Sequence, residues 1–87
     1  MTLNFFNPSR SYDPIKRSVC FWGYESTFEI AFHVGEDALK MMSPHVQCDE
    51  ASLLHVFEVN RVQIESVADN AYSRRRQSYH RLAASDL

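Results

Sequence analysis

Thr27-Phe28-Glu29-Ile30-Ala31-Phe32-His33-Val34-Gly35 sets a large apolar side chain at every second of its first eight positions and then stops at a glycine. Phe28, Ile30, Phe32 and Val34 recur at period two and share one face of a strand. Thr27, Glu29, Ala31 and His33 share the other. The pattern predicts a half-buried strand with one apolar face for a core and one face toward water.

Working outward, Ser18-Val19-Cys20-Phe21-Trp22 is rich in β-branched and aromatic residues and reads as the preceding strand. Gly23, Tyr24, Glu25 and Ser26 make the turn, and so short a connection favours an antiparallel hairpin. Before it, the stretch from Asn7 to Arg17 holds Pro8 and Pro14 among Ser, Asn and Asp and reads as a loop. Leu3 to Phe6 is the expected first strand. After Gly35, Glu36 and Asp37 suit a helix N-terminus, with Ala38, Leu39 and Met42 facing the sheet until Ser43 and Pro44 end a short helix. His45 to Cys48 is a linker, and Asp49 can cap the next helix.

From Glu50 to about Ser78 there is neither Pro nor Gly. Leu54, Phe57, Ile64, Ala68 and Ala71 fall on one helical stripe, flanked by Leu53, Val67 and Tyr72. An unbroken helix here would be roughly 40 Å long, more than the ~30 Å breadth of so small a domain. Its far end must project, break or pack on another chain, which leads to the expectation of a homodimer. The tail from Gln77 to Leu87 loses periodicity and is expected to fray. The fold class that follows is α+β: a three-stranded antiparallel sheet in β-β-β-α-α order, with a short and a long helix on one face. It forms a single domain over residues 1–87, ordered from about 3 to 76.

Composition sets the bounds. The 87 residues are 45% hydrophobic, 13% aromatic and 23% charged, with two Gly and three Pro. That is enough for one core and argues against low-complexity disorder. No apolar run can span a bilayer, so no membrane partner is expected. No basic segment followed by an apolar stretch opens the chain, so a cytoplasmic location is the default. Cys20 and Cys48 are then expected as reduced thiols. The net charge is −2, distributed as +2 over residues 1–24, −6 over 25–60 and +2 over 61–87.

The ordered set Leu3-Asn4-Phe5, Val19-Cys20-Phe21, the alternating strand from Phe28, Glu36-Asp37-Ala38-Leu39, Leu53-Leu54 through Phe57, Asn60-Arg61 and Ile64 resembles a family of small bacterial proteins. That family is the domain of unknown function 1488. The likeness runs over about residues 3–75 and implies a small α+β fold and a bacterial origin. It carries over no catalytic or ligand residue.

The chemistry-bearing residues give four readings. His45 and Cys48, with Asp49, Glu50 and His55 nearby, form an incomplete zinc set without a Cys-x-x-Cys pair, so no metal is expected. Cys20 and His33 on neighbouring strands could act as nucleophile and base. A buried thiol without a basic neighbour is inert, however, and no phosphate loop, nucleophile elbow or dinucleotide fingerprint is present. No enzymatic activity and no cofactor are expected. Arg74, Arg75 and Arg76 at the end of the long helix, with Arg81 beyond, could contact nucleic-acid phosphates, and Tyr72 and Tyr79 could stack on bases. Against this, cations at a helix C-terminus also stabilise the helix dipole, and a pI of about 6.0 lacks the basic balance of nucleic-acid binders. The outer sheet face with Glu29 and His33 could instead bind a protein: if Val19 and Phe21 face inward, Trp22 faces outward as the anchor, and otherwise it packs under the stretch from Asn7 to Arg17. A non-enzymatic protein-binding or adaptor module is the favoured reading, and a nucleic-acid-associated protein the alternative.

Overall fold

The computed structural model describes residues 3–87. Its elements are β1 (Arg10–Asp13), β2 (Ser18–Glu25), β3 (Phe28–Gly35), α1 (Glu36–Met42), α2 (Glu50–Val59), α3 (Arg61–Arg74) and β4 (Tyr79–Leu82), followed by a 3₁₀ turn at Ala84–Asp86. One sheet of order β1-β2-β3-β4 carries the three helices on one face, an α+β architecture. β1, β2 and β3 pair antiparallel, and β4 joins β3 in parallel.

The alternating strand places Ile30, Phe32 and Val34 in the core, opposite Gly23, Phe21 and Val19 of β2. Phe21 and Phe32 stack with ring centroids 5.3 Å apart, and Phe57 of α2 closes on Phe21 at 5.1 Å. Leu39, Leu53, Ile64 and Ala68 complete the helical side. Phe28 departs from the expected inward set and is 71% exposed. It pairs with Glu25 beside the Ser26–Thr27 turn, at the rim of the sheet.

The sheet has four strands rather than three, and four local expectations change with it. Leu3–Phe6 makes only an isolated antiparallel bridge, Asn4 to Tyr24, held by both of their backbone hydrogen bonds. The edge strand proper lies at Arg10–Asp13, inside the stretch expected to be a loop, bracketed by its two prolines. The tail expected to fray supplies β4, whose Leu82 is 1% exposed. Gly23 lies within β2 rather than in a turn. A Cβ there would stand 2.8 Å from the Phe5 ring and 3.3 Å from Leu3 and Phe32, so its role is close approach of the N-terminal segment.

The long helix is broken at Asn60, which ends α2 and begins α3. Asn60 Nδ2 donates to the Val56 carbonyl at 2.9 Å, the same oxygen its own amide reaches at 3.1 Å. This local side-chain bond holds Asn60 at φ −108°, ψ 17°. Arg61 then fixes the elbow. Its guanidinium bonds Glu58 at 2.7 Å and the Pro8 carbonyl at 2.9 Å, and lies 4.8 Å over the Phe57 ring. The two helices, of 10 and 14 residues, are each shorter than the 36 Å length of the molecule, and the length-based reason for a dimer disappears.

Leu82→Ala is expected to cost about 2–4 kcal/mol of folding stability, as for a fully buried leucine. A frayed tail would lose nothing. Gly23→Ala is expected to cost about 1–3 kcal/mol by overpacking against Phe5. Urea denaturation of both variants checks the pair.

Candidate functional site

The helices cover one face of the sheet, and the residues that alternate with the core form the other. Strand register arranges them in rows: Ser11, Cys20, His33 and Arg81, then Trp22, Ala31 and Tyr79, then Tyr24 and Glu29. Trp22 is half-buried at the middle of this face, and Tyr79 is 42% exposed beside it. Glu29 is exposed and accepts from the Tyr24 hydroxyl at 2.7 Å. Tyr24 in turn accepts from Asn7 Nδ2 at 2.9 Å and carries the Phe6 ring stacked at 4.5 Å. At the opposite end, Lys16 from the β1–β2 turn places its ammonium 5.0 Å above the Tyr79 ring, and Arg81 Nη1 donates to the Lys16 carbonyl at 3.4 Å.

His33 does lie on this face but is not free on it. It is 8% exposed, with Tyr79 5.2 Å away and Ser18 Oγ 3.0 Å from its Nδ1. Burial lowers its pKa below the ordinary 6.5, the charges of Lys16 and Arg81 lower it further, and Asp13 opposes them. His33 thus belongs to the support beneath Tyr79 and offers a partner little of its own surface. Cys20 stands directly across the β2–β3 ladder from it. Burial, then the nearby Asp13 carboxylate, pushes the Cys20 thiol up, which favours the protonated and unreactive form.

The basic residues belong to two elements. Arg74 ends α3 and Arg75 follows as its C-cap. Arg76 pairs with Glu25 at 3.8 Å, whereas Arg81 lies on the outer sheet face in β4. Tyr72 is turned into the core and donates to Glu25 at 2.6 Å, so it offers no ring for stacking.

His45 and His55 line one shallow groove of about 520 Å³ between the α1–α2 linker and α2. Asp49 is engaged as the α2 N-cap, accepting from the Ser52 amide at 3.1 Å. Among the described residues no group of three or more His, Cys, Asp or Glu side chains is placed to hold a metal ion. No described helix is long and apolar enough to cross a membrane. Both cysteines are free, Cys20 buried and Cys48 exposed.

Residues 3–82 of the 87 match the sequence profile of the family described as "Protein of unknown function (DUF1488)". The chain belongs to that family. The match extends past α3 to the end of β4, so in this DUF1488 member the tail is part of the family unit. No curated protein and no solved structure matches the chain.

The sequence pointed to Trp22, Glu29 and His33 but missed Tyr79 and Lys16 as members of the same face. A tail read as frayed gives no face assignment, and the Pro-containing stretch hides that Lys16 sits at a hairpin tip. On the core side, His80 is 8% exposed, its ring stacked on Phe32 at 5.4 Å and its Nε2 buried without a hydrogen-bond partner. Burial lowers its pKa, against the raising effect of backbone hydrogen bonds to Gln77 and Arg75.

Because the fold depresses both imidazoles, the unfolded chain binds more protons below pH 6.5. Their stabilising contribution is complete above 6.5 and is lost as pH falls through the folded-state values. Glu36 and Glu58, held below the ordinary 4.5, act only at lower pH. For Glu36, burial alone would raise the value, but hydrogen bonds from Arg17, Cys48 and Tyr12 outweigh it. The urea midpoint is therefore expected to fall between pH 7.5 and 5.5, with the His33 and His80 ring resonances titrating below 6.5. Rings titrating at or above 6.5 and a constant midpoint would contradict this.

Proposed function

We propose that this DUF1488 protein is a non-enzymatic, cytoplasmic protein-binding module that holds its partner against the uncovered face of the sheet. The observation that carries the reading is the position of Trp22. It lies half-buried at the centre of a face that no helix covers, with Ala31 opposite it across the ladder and Tyr79 on the strand beyond. A large aromatic seated this way is already ordered by its neighbours, so it loses little conformational freedom on binding while supplying a large contact. Polar groups surround it, Tyr24 with Glu29 at one end and Lys16 with Arg81 at the other. They give a rim that can fix orientation.

Chemistry on the same face has weaker support. The Cys20 thiol is pushed up and His33 is oriented by Ser18, an arrangement unsuited to generating a thiolate. The arginines divide between the α3 terminus and the outer sheet face, and Arg76 is engaged by Glu25.

Trp22→Ala is expected to weaken partner binding by about 2 kcal/mol or more while leaving the circular dichroism spectrum unchanged. The triple variant Arg74→Ala, Arg75→Ala, Arg76→Ala is expected to bind normally. Low-salt affinity purification of tagged protein from its own host, comparing the three forms, makes the measurement. Nuclease-sensitive material absorbing at 260 nm, retained by Trp22→Ala and lost in the triple variant, would replace this reading with a nucleic-acid one.

A further inference from the structure

We infer that β4 is a self-pairing edge, and that two copies of this chain join β4 to β4 in antiparallel fashion to make one eight-stranded sheet. The two edges of the sheet differ. β1 is bracketed by Pro8 and Pro14 and continues into the interrupted segment at Asn4. Prolines and interruptions of this kind block strand addition. β4 has no proline, glycine or lysine, and among the described residues it is flanked on one side only, by β3.

The register determines which β4 groups remain available. The Ala31 amide donates to the Ser78 carbonyl at 2.9 Å, and Ala31 stands opposite Tyr79. In a parallel ladder this turns the main-chain groups of His80 toward β3 and leaves the amides and carbonyls of Tyr79 and Arg81 on the outer edge. A twofold axis through His80 puts Tyr79 of one copy opposite Arg81 of the other, twice. That register satisfies all the outward groups of the four-residue strand. On the outer face it sets the Cβ atoms of Tyr79 and Arg81 opposite each other, while in each copy the Arg81 guanidinium stays on the Lys16 carbonyl. Sliding by one residue at each strand, in either direction, loses these pairs. One slide sets Arg81 against Arg81 and the other sets Tyr79 against Tyr79. Those slides also set Tyr79 against Ala83 or Arg81 against Gln77, whose amides are already bonded to Asp86 Oδ2 at 2.7 Å and to the Arg75 carbonyl at 2.9 Å. Hydrogen bonding thus selects one register, and the occupant that satisfies it is a second copy of the same strand.

The pairing keeps both outer faces on one side, so the Trp22 surfaces of the two copies become continuous. They lie about 24 Å apart at the usual strand spacing. It holds whether or not Trp22 recruits a partner, and it replaces the helix-mediated dimer that the break at Asn60 removes.

Sedimentation equilibrium under reducing conditions, from low to high micromolar protein, tests it. A monomer–dimer equilibrium is expected, with hydrogen exchange at the Tyr79 and Arg81 amides slowing as concentration rises. Tyr79→Arg places like charges across both pairs and is expected to weaken the dimer about tenfold. The double variant Tyr79→Arg, Arg81→Glu sets opposite charges across them and is expected to restore it. A monomer at every concentration overturns the inference. So does a dimer whose Tyr79 and Arg81 amides exchange at a concentration-independent rate, or one that ignores Tyr79→Arg.

Discussion

Phe21 and Phe32 face each other across the central strand pair, and the other layers take their positions from that contact. The rings lie 5.3 Å apart, Phe57 brings α2 onto Phe21, and His80 brings β4 onto the far side of Phe32. Phe5 reaches both rings, at 6.3 and 6.2 Å, through the space left by Gly23. Aromatic rings supply the largest buried area per residue in so small a core, and offset or tilted contacts add to area alone. A domain of this size has little burial to spare, which is why the N-terminal segment and the C-terminal strand are both drawn onto the same two rings.

Period two in β3 and the β-branched and aromatic run of β2 made the hairpin legible, because a sheet with one buried face imposes that period on any sequence. The Asp49 cap was legible for the same kind of reason, being a local requirement met by a local side chain. The rest depends on contacts between distant residues. β4 spans only four residues, and its inward positions are His80 and Leu82, a pair with no apolar alternation to announce a strand. Gly23 reads as a turn unless one knows that Phe5 lies above it. The break at Asn60 rests on its side-chain hydrogen bond and on the contacts of Arg61, in a segment whose hydrophobic stripe continues through it. The run of β2 left Trp22 two places, outward if Val19 and Phe21 face in, or under the stretch from Asn7 to Arg17, and the pairing of β2 with β3 decides between them. The completion of that face by Tyr79 and Lys16 was not legible, because it requires β4 to be present.

The same strand therefore serves both sides of the molecule. Inward, Leu82 seals the core and His80 stacks on Phe32. Outward, Tyr79 covers His33 and accepts Lys16 over its ring, while Arg81 ties the β1–β2 turn through the Lys16 carbonyl. Burial of His33 on a face without helices is thus the work of aromatic and basic side chains from β4 and the turn. Such a cover is thin and polar at its margins, and it is displaced at lower cost than a packed helix.

Alternation along a short parallel edge strand makes these two roles inseparable in sequence but separable by substitution. His80 and Leu82 answer to the core, so changing them alters stability and, through the core, the whole sheet. Tyr79 and Arg81 answer to the outer face and the free edge, and their main-chain groups point away from β3. Changing them should leave the Phe21–Phe32 stack intact. What such changes do disturb is local, the cover over His33 and the tie to the β1–β2 turn. The central strands give the outer surface a stable frame because β2, β3 and β4 hold the core with alternate residues and set the intervening ones on the uncovered face.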